Sequence, residues 1–164
     1  MRSKLPGSGT TIFTVMSKMA HDHGAINLSQ GYPDFDGPPA LIERVSWHMQ
    51  QGHNQYAPLA GVPKLLQQIS AKVADLYGHT ANPASQIAVT PGATEAIFCA
   101  VTATVGPGDE VIILDPCYDT YEPCVRLNGG IARRIPMSYP YFRPDWQRVR
   151  EAVNERTRLI MLNT

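Results

Sequence analysis

The chain has 164 residues, enough for one domain with a sizeable core, and its 14 basic residues offset 14 acidic ones to give a net charge of zero. Nothing in that balance suggests an electrostatic grip on nucleic acid or on an anionic membrane surface. No apolar run approaches membrane-spanning length, and no apolar stretch follows Arg2 and Lys4 as in a secretory signal. A cytoplasmic protein is therefore expected, with Cys99, Cys117 and Cys124 as reduced thiols in no zinc-binding spacing.

In chain order, residues 1–10 are polar and hold Pro6, Gly7 and Gly9, so they read as an arm. Phe13, Met16, Met19 and Ala20 have the spacing of a short amphipathic helix over 13–20. A strand or extended piece over 26–29 leads into a loop over 30–39 rich in glycine and proline. Helices are expected over 41–51, before Gly52, and over 62–77, ended by Gly78 and with Pro63 near its start. His21, Asp22 and His23 invite a metal reading, but neighbouring residues at a helix end do not converge on one point. A solvated helix end explains them better.

Regular alternation follows. Strands are expected over 86–90, 110–114, 131–136 and 158–163, with helices over 93–105, 118–127 and 144–155. This order implies a mostly parallel sheet covered by helices on both faces. The run Val111-Ile112-Ile113-Leu114 is apolar throughout, as a strand buried on both sides requires. An apolar last strand left at a sheet edge would be a pairing hazard, so the sheet is expected to be incomplete at the C-terminus. Cys99 reads as a buried small apolar residue.

The most informative segment is Ile87-Ala88-Val89-Thr90-Pro91-Gly92-Ala93-Thr94-Glu95-Ala96-Ile97. A β-branched run stops at a Pro-Gly turn and a helix-forming run begins. Helix N-termini present N–H groups and a partial positive charge, which suit a phosphate. Gly92 admits close backbone approach, and the Thr94 hydroxyl adds a donor. Taken alone, the segment also fits an ordinary strand-to-helix turn without a ligand.

Its neighbours add specificity. They are Asn27-Leu28-Ser29-Gln30-Gly31-Tyr32-Pro33-Asp34-Phe35, Asn54-Gln55-Tyr56-Ala57-Pro58, Asp115-Pro116-Cys117-Tyr118-Asp119-Thr120-Tyr121 and Leu162-Asn163-Thr164. With the turn at 90–96, these blocks resemble the amino-terminal part of a class I aminotransferase that uses pyridoxal 5'-phosphate, nearest to the methionine and kynurenine/glutamine branch. The resemblance covers the chain from about Thr11. It implies the amino-terminal part of the aspartate-aminotransferase-like fold, an α/β architecture. Residues 1–52 would form an arm and the start of a small domain. Residues 53–164 would begin the large cofactor-binding domain.

The same resemblance implies the site. Gly92, Ala93 and Thr94 would cup the cofactor phosphate, and Tyr118 would stack on the pyridine ring. Tyr56 would reach the phosphate of a neighbouring subunit, which makes a homodimer the expected partner arrangement. Gly31 would face the substrate carboxylate, with Tyr32 and Phe13 beside the substrate side chain. Phe13 is equally an amphipathic helix anchor, and each tyrosine has an ordinary reading as a loop residue. Asp115 is read as shaping the turn, and Cys117 has no evident activating base.

The lysines are Lys4, Lys18, Lys64 and Lys72, and none follows. In the family the Schiff-base lysine lies beyond the point this chain reaches. The implied reaction is amino transfer between an amino acid (apolar, sulfur-containing or aromatic) and a 2-oxo acid, with the 164 residues alone expected to be inactive. A carbon–sulfur lyase acting on cysteine conjugates and a non-catalytic remnant remain open alternatives.

Overall fold

The computed structural model describes residues 4–5, 9–31 and 33–163. Its contacts divide the chain into two units. One runs over 12–90, and the other holds the chain from Pro91 onward with the residues before Ile12. The boundary expected at 52/53 falls inside the first unit.

The 12–90 unit carries three helices among its described residues: α1 (Ile12–Asp22), α2 (Pro39–Gln50) and α3 (Pro63–Tyr77). In α1 the Lys18 ammonium pairs with Asp22 one turn on, at 2.7 Å. The helix runs two residues past its expected end at residue 20. α3 starts with Pro63, whose missing N–H would have had no partner there, and ends at Gly78 with φ +66. The Ser70 hydroxyl on α3 is buried and donates to Ala81 O at 2.6 Å.

Residues 86–90, expected as a strand, are not part of a sheet. Val89 N–H donates to Ala60 O at 2.9 Å, a loop contact. Strand propensity is realised only where a neighbouring strand supplies a ladder, and the sheet described here lies in the other unit. The segment 25–28 is likewise irregular.

The second unit alternates as expected: α4 (Gly92–Thr104), β1 (Glu110–Asp115), α5 (Tyr121–Leu127), β2 (Ile131–Pro136), α6 (Trp146–Ala152) and β3 (Thr157–Met161). The strands form a parallel sheet in the order β2-β1-β3. Strand parity sorts the core. Val111 and Ile113 of β1 pack with Val101, Val105, Tyr121, Cys124 and Val125 from the α4 and α5 side. Ile112 and Leu114 point the other way, against Ile135 and Val149 of α6. The helices therefore cover both faces, and the sequence expectation for β1 holds.

Two boundaries moved for physical reasons. α5 begins at Tyr121 instead of residue 118, which puts Pro123 in the first turn, where its missing N–H breaks no helical bond. α6 begins after Asp145, whose carboxylate accepts from Gln147 N–H and Arg148 N–H at 3.0 and 3.2 Å. Cys99 corrects an expectation: it is exposed, whereas Cys124 is the buried thiol. On α4 the residues facing the sheet are Ile97 and Val101, and Cys99 lies midway between them in sequence, which rotates it away.

Glu110 opens β1 with a fully buried side chain. Arg133 binds it through two N–H donors at 2.8 Å each, Arg156 at 2.6 Å, and the Asn154 amide at 2.9 Å. The hydrogen bond from Arg133, then that from Asn154, holds its carboxyl down from 4.5 to about 2. A depressed carboxyl stabilises the fold above its unfolded value and loses that contribution as pH falls through the folded one. Acid destabilisation from this group should therefore set in below about pH 4.5 and be complete near 2. Thermal melts of Glu110→Gln should lose that portion of the acid slope. An unchanged slope would assign it elsewhere.

Candidate functional site

Strand β1 ends at Asp115, and the loop 116–120 leads to α5 with Tyr118 at its centre. In open parallel sheets the carboxyl ends of strands face the ligand crevice. The Tyr118 hydroxyl lies 3.2 Å from the Thr94 hydroxyl, so the structure joins this loop to the first turn of α4. Hydrogen bonding by Thr120, and then by Thr94, holds the Tyr118 phenol below its usual range. The Tyr118 ring meets Tyr121 edge to face, with centroids 5.8 Å apart and planes at 87°. Two of the sequence-derived site residues are thus neighbours.

Gly92 supplies the turn. It has φ +81, a left-handed conformation that a side chain strains, and among the described residues, apart from its chain neighbours and the backbone of its own helix's first turn, no heavy atom lies within 4 Å of where a Cβ would stand. Pro91 occupies the N-cap and has no side-chain acceptor to offer the first turn. Ala93 is small and exposed beside it. This helix start, flanked by a hydroxyl and an aromatic ring, fits an anion carried on a flat ring.

Arg134 was not singled out from sequence. From β2 it donates to Asp115 Oδ1 at 2.7 Å and to Glu122 Oε2 at 3.2 Å. Asp115 raises its already high pKa further through that hydrogen bond. Residues 111, 113 and 115 share one face of β1, and Arg134 stands opposite Ile113 in the ladder, so strand parity places it there. Only the register reveals this. The paired Asp115 agrees with a turn-shaping role. Burial, and then the Asp115 charge, pushes the Cys117 thiol up, which makes it a poor nucleophile.

The other proposed residues lie in the 12–90 unit. Phe13 is on α1 and partly exposed, Gly31 is exposed, and Tyr56 is fully exposed in the loop before α3. Tyr32 lies outside the described residues. Among the described residues no group of three His, Cys, Asp or Glu side chains is placed to hold a metal ion, and no helix is long and apolar enough to cross a membrane.

Comparison with known proteins places this arrangement in context. The profile of the family described as Aminotransferase class I and II matches residues 23–164. A methionine aminotransferase of Escherichia coli (strain K12) is 55% identical over 163 residues, covering 99% of this chain and 42% of that protein. Kynurenine–oxoglutarate transaminase 3 of Mus musculus is 32% identical over 172 residues, covering 98% of this chain and 38% of that protein. A solved structure from Escherichia coli, described as identifying a methionine aminotransferase function, superposes with a TM-score of 0.94 at 54% identity, over 98% of this chain and 42% of that one. The chain therefore spans about two fifths of the length of the relatives it matches. With a profile match over most of its length and a superposition that covers 98% of it, this chain belongs to the class I and II aminotransferase family.

Proposed function

We propose that the full-length protein is a pyridoxal-5'-phosphate-dependent aminotransferase. It moves an amino group between an apolar, sulfur-containing or aromatic amino acid and a 2-oxo acid in the cytoplasm. The observation that carries this reading is the 3.2 Å approach of Thr94 and Tyr118, which brings an aromatic ring beside a helix start of the kind that suits a phosphate. The name of the 55% identical methionine aminotransferase supports the sulfur-containing substrate class.

The bound cofactor supplies the electron sink for bond breaking at the substrate α-carbon. Backbone N–H groups of Gly92 and Ala93, with the Thr94 hydroxyl, would hold its phosphate. Tyr118 would stack on its ring. Tyr56 donates its hydroxyl to the phosphate held by a partner subunit, so the working unit is a homodimer. The Gly31 N–H binds the substrate carboxylate, and Tyr32 and Phe13 border the substrate side chain. Residues 1–52 then act as arm and small-domain start, and 53–164 as the first part of the large domain.

The test is amino transfer by the full-length protein from L-methionine to a range of 2-oxo acids. Formation of the 2-oxo acid of methionine without released thiol is expected. No product from methionine or from aromatic donors would sink the reading. The 164 residues expressed alone should retain no cofactor covalently on Lys4, Lys18, Lys64 or Lys72 after borohydride treatment, by intact mass.

A further inference from the structure

We propose that Arg134 is a positioning residue for the cofactor ring, acting through Tyr118; this rests on the ring-stacking role proposed above. Arg134 stands on β2, outside the loop 116–120, yet it grips both ends of that loop. One guanidinium nitrogen binds Asp115 at 2.7 Å, the last residue of β1, and another binds Glu122 at 3.2 Å, in the first turn of α5. The loop between β1 and α5 has only five residues, 116–120, and Tyr118 is the middle one. Further bonds fix the same ends: Met137 N–H donates to Asp115 O at 2.7 Å, and Tyr121 N–H donates to Tyr118 O at 3.2 Å.

The geometry explains why a fork is needed. The two carboxylates belong to different elements, and the planar guanidinium presents separate donors to both at once. An isolated ion pair at half-exposed side chains contributes little to stability. Here its effect falls on where one loop stands. Tyr118 is set from three sides: the ends of its loop by Arg134, its ring by a perpendicular contact with Tyr121 at 5.8 Å, and its hydroxyl by Thr94 at 3.2 Å. The fork's side-chain partners are Asp115 and Glu122, so its removal acts on the ends of the loop and leaves the Thr94 hydroxyl in place on α4.

The experiment uses the full-length protein freed of cofactor, and titrates it with pyridoxal 5'-phosphate and separately with inorganic phosphate. Arg134→Met should weaken pyridoxal 5'-phosphate binding about three- to tenfold while leaving inorganic phosphate affinity unchanged, a split that general unfolding would not give. Arg134→Lys, which keeps the charge without the fork, should rescue only part of the loss. Tyr118→Ala should weaken pyridoxal 5'-phosphate more, and the double variant should be no worse than Tyr118→Ala alone. Additive losses, or an Arg134→Met affinity equal to the parent's, would overturn the inference. An unchanged affinity in Tyr118→Ala would overturn the ring-stacking reading itself. If Arg134→Met does not fold, Glu122→Gln releases one arm of the fork, and an affinity equal to the parent's would again overturn the inference.

Discussion

Replacing Thr94 with valine in the full-length protein is expected to weaken pyridoxal 5'-phosphate binding about tenfold and to leave pyridoxal, which lacks the phosphate, unaffected. Valine keeps the branched shape and removes only the hydroxyl. Hydrogen bonds to charged groups contribute about 1.5–3 kcal/mol. Thr94 is exposed, so the lower end of that range applies. The comparison of the two ligands separates two routes. If the hydroxyl serves the phosphate, only the phosphorylated ligand loses affinity. Equal losses for both would mean that Thr94 acts by holding the Tyr118 hydroxyl, 3.2 Å away, and so by placing the ring. Equilibrium titration of cofactor-free protein measures both.

The second large effect is structural. Gly130→Ala should destabilise the sheet unit by about 1–3 kcal/mol, as overpacking of a closed core does. A Cβ at Gly130 would stand 2.6 Å from Val105 Cγ1, 3.0 Å from Val125 Cγ1 and 3.2 Å from Val125 O. Both valines are buried in the cluster with Val111 and Ile113, so neither can turn aside without displacing β1. Gly130 N–H also donates to Val125 O at 3.0 Å, which ties the start of β2 to the end of α5. Gly106→Ala is the control. A Cβ there meets only Asp109 Oδ2 at 3.7 Å, an ordinary contact, and its cost should be small. Melting temperatures of the two variants test the difference. A Gly130→Ala variant as stable as Gly106→Ala would show that the core yields more easily than this packing implies.

How much of this could be read beforehand depended on the range of the interactions. Val111 to Leu114 was legible because burial on both faces leaves no polar position in the strand. The helix starts at Gly92 and Pro63 were legible because turn chemistry is local. Residues 86–90 misled because a β-branched run states only a preference, which a neighbouring strand must satisfy. Cys99 misled because which side of α4 faces the sheet is fixed by packing, with Val101 and Ile97 inward. Arg133 and Arg134 are adjacent and look alike in sequence. On the strand they point to opposite faces, where one neutralises the buried Glu110 and the other binds Asp115 and Glu122.

The sequence by itself determined the alternation of helices and strands from Pro91 onward, the central strand, the phosphate-suited turn and the family resemblance. Each is written in contiguous residues, where propensity, capping and short-range spacing operate. Only the tertiary structure decided the strand order β2-β1-β3, the neighbour relation of Thr94 and Tyr118 across 24 positions, and the grip of Arg134 on two carboxylates. These depend on register and on which faces pack, and a pairing between distant residues has no local signal in the chain that makes it.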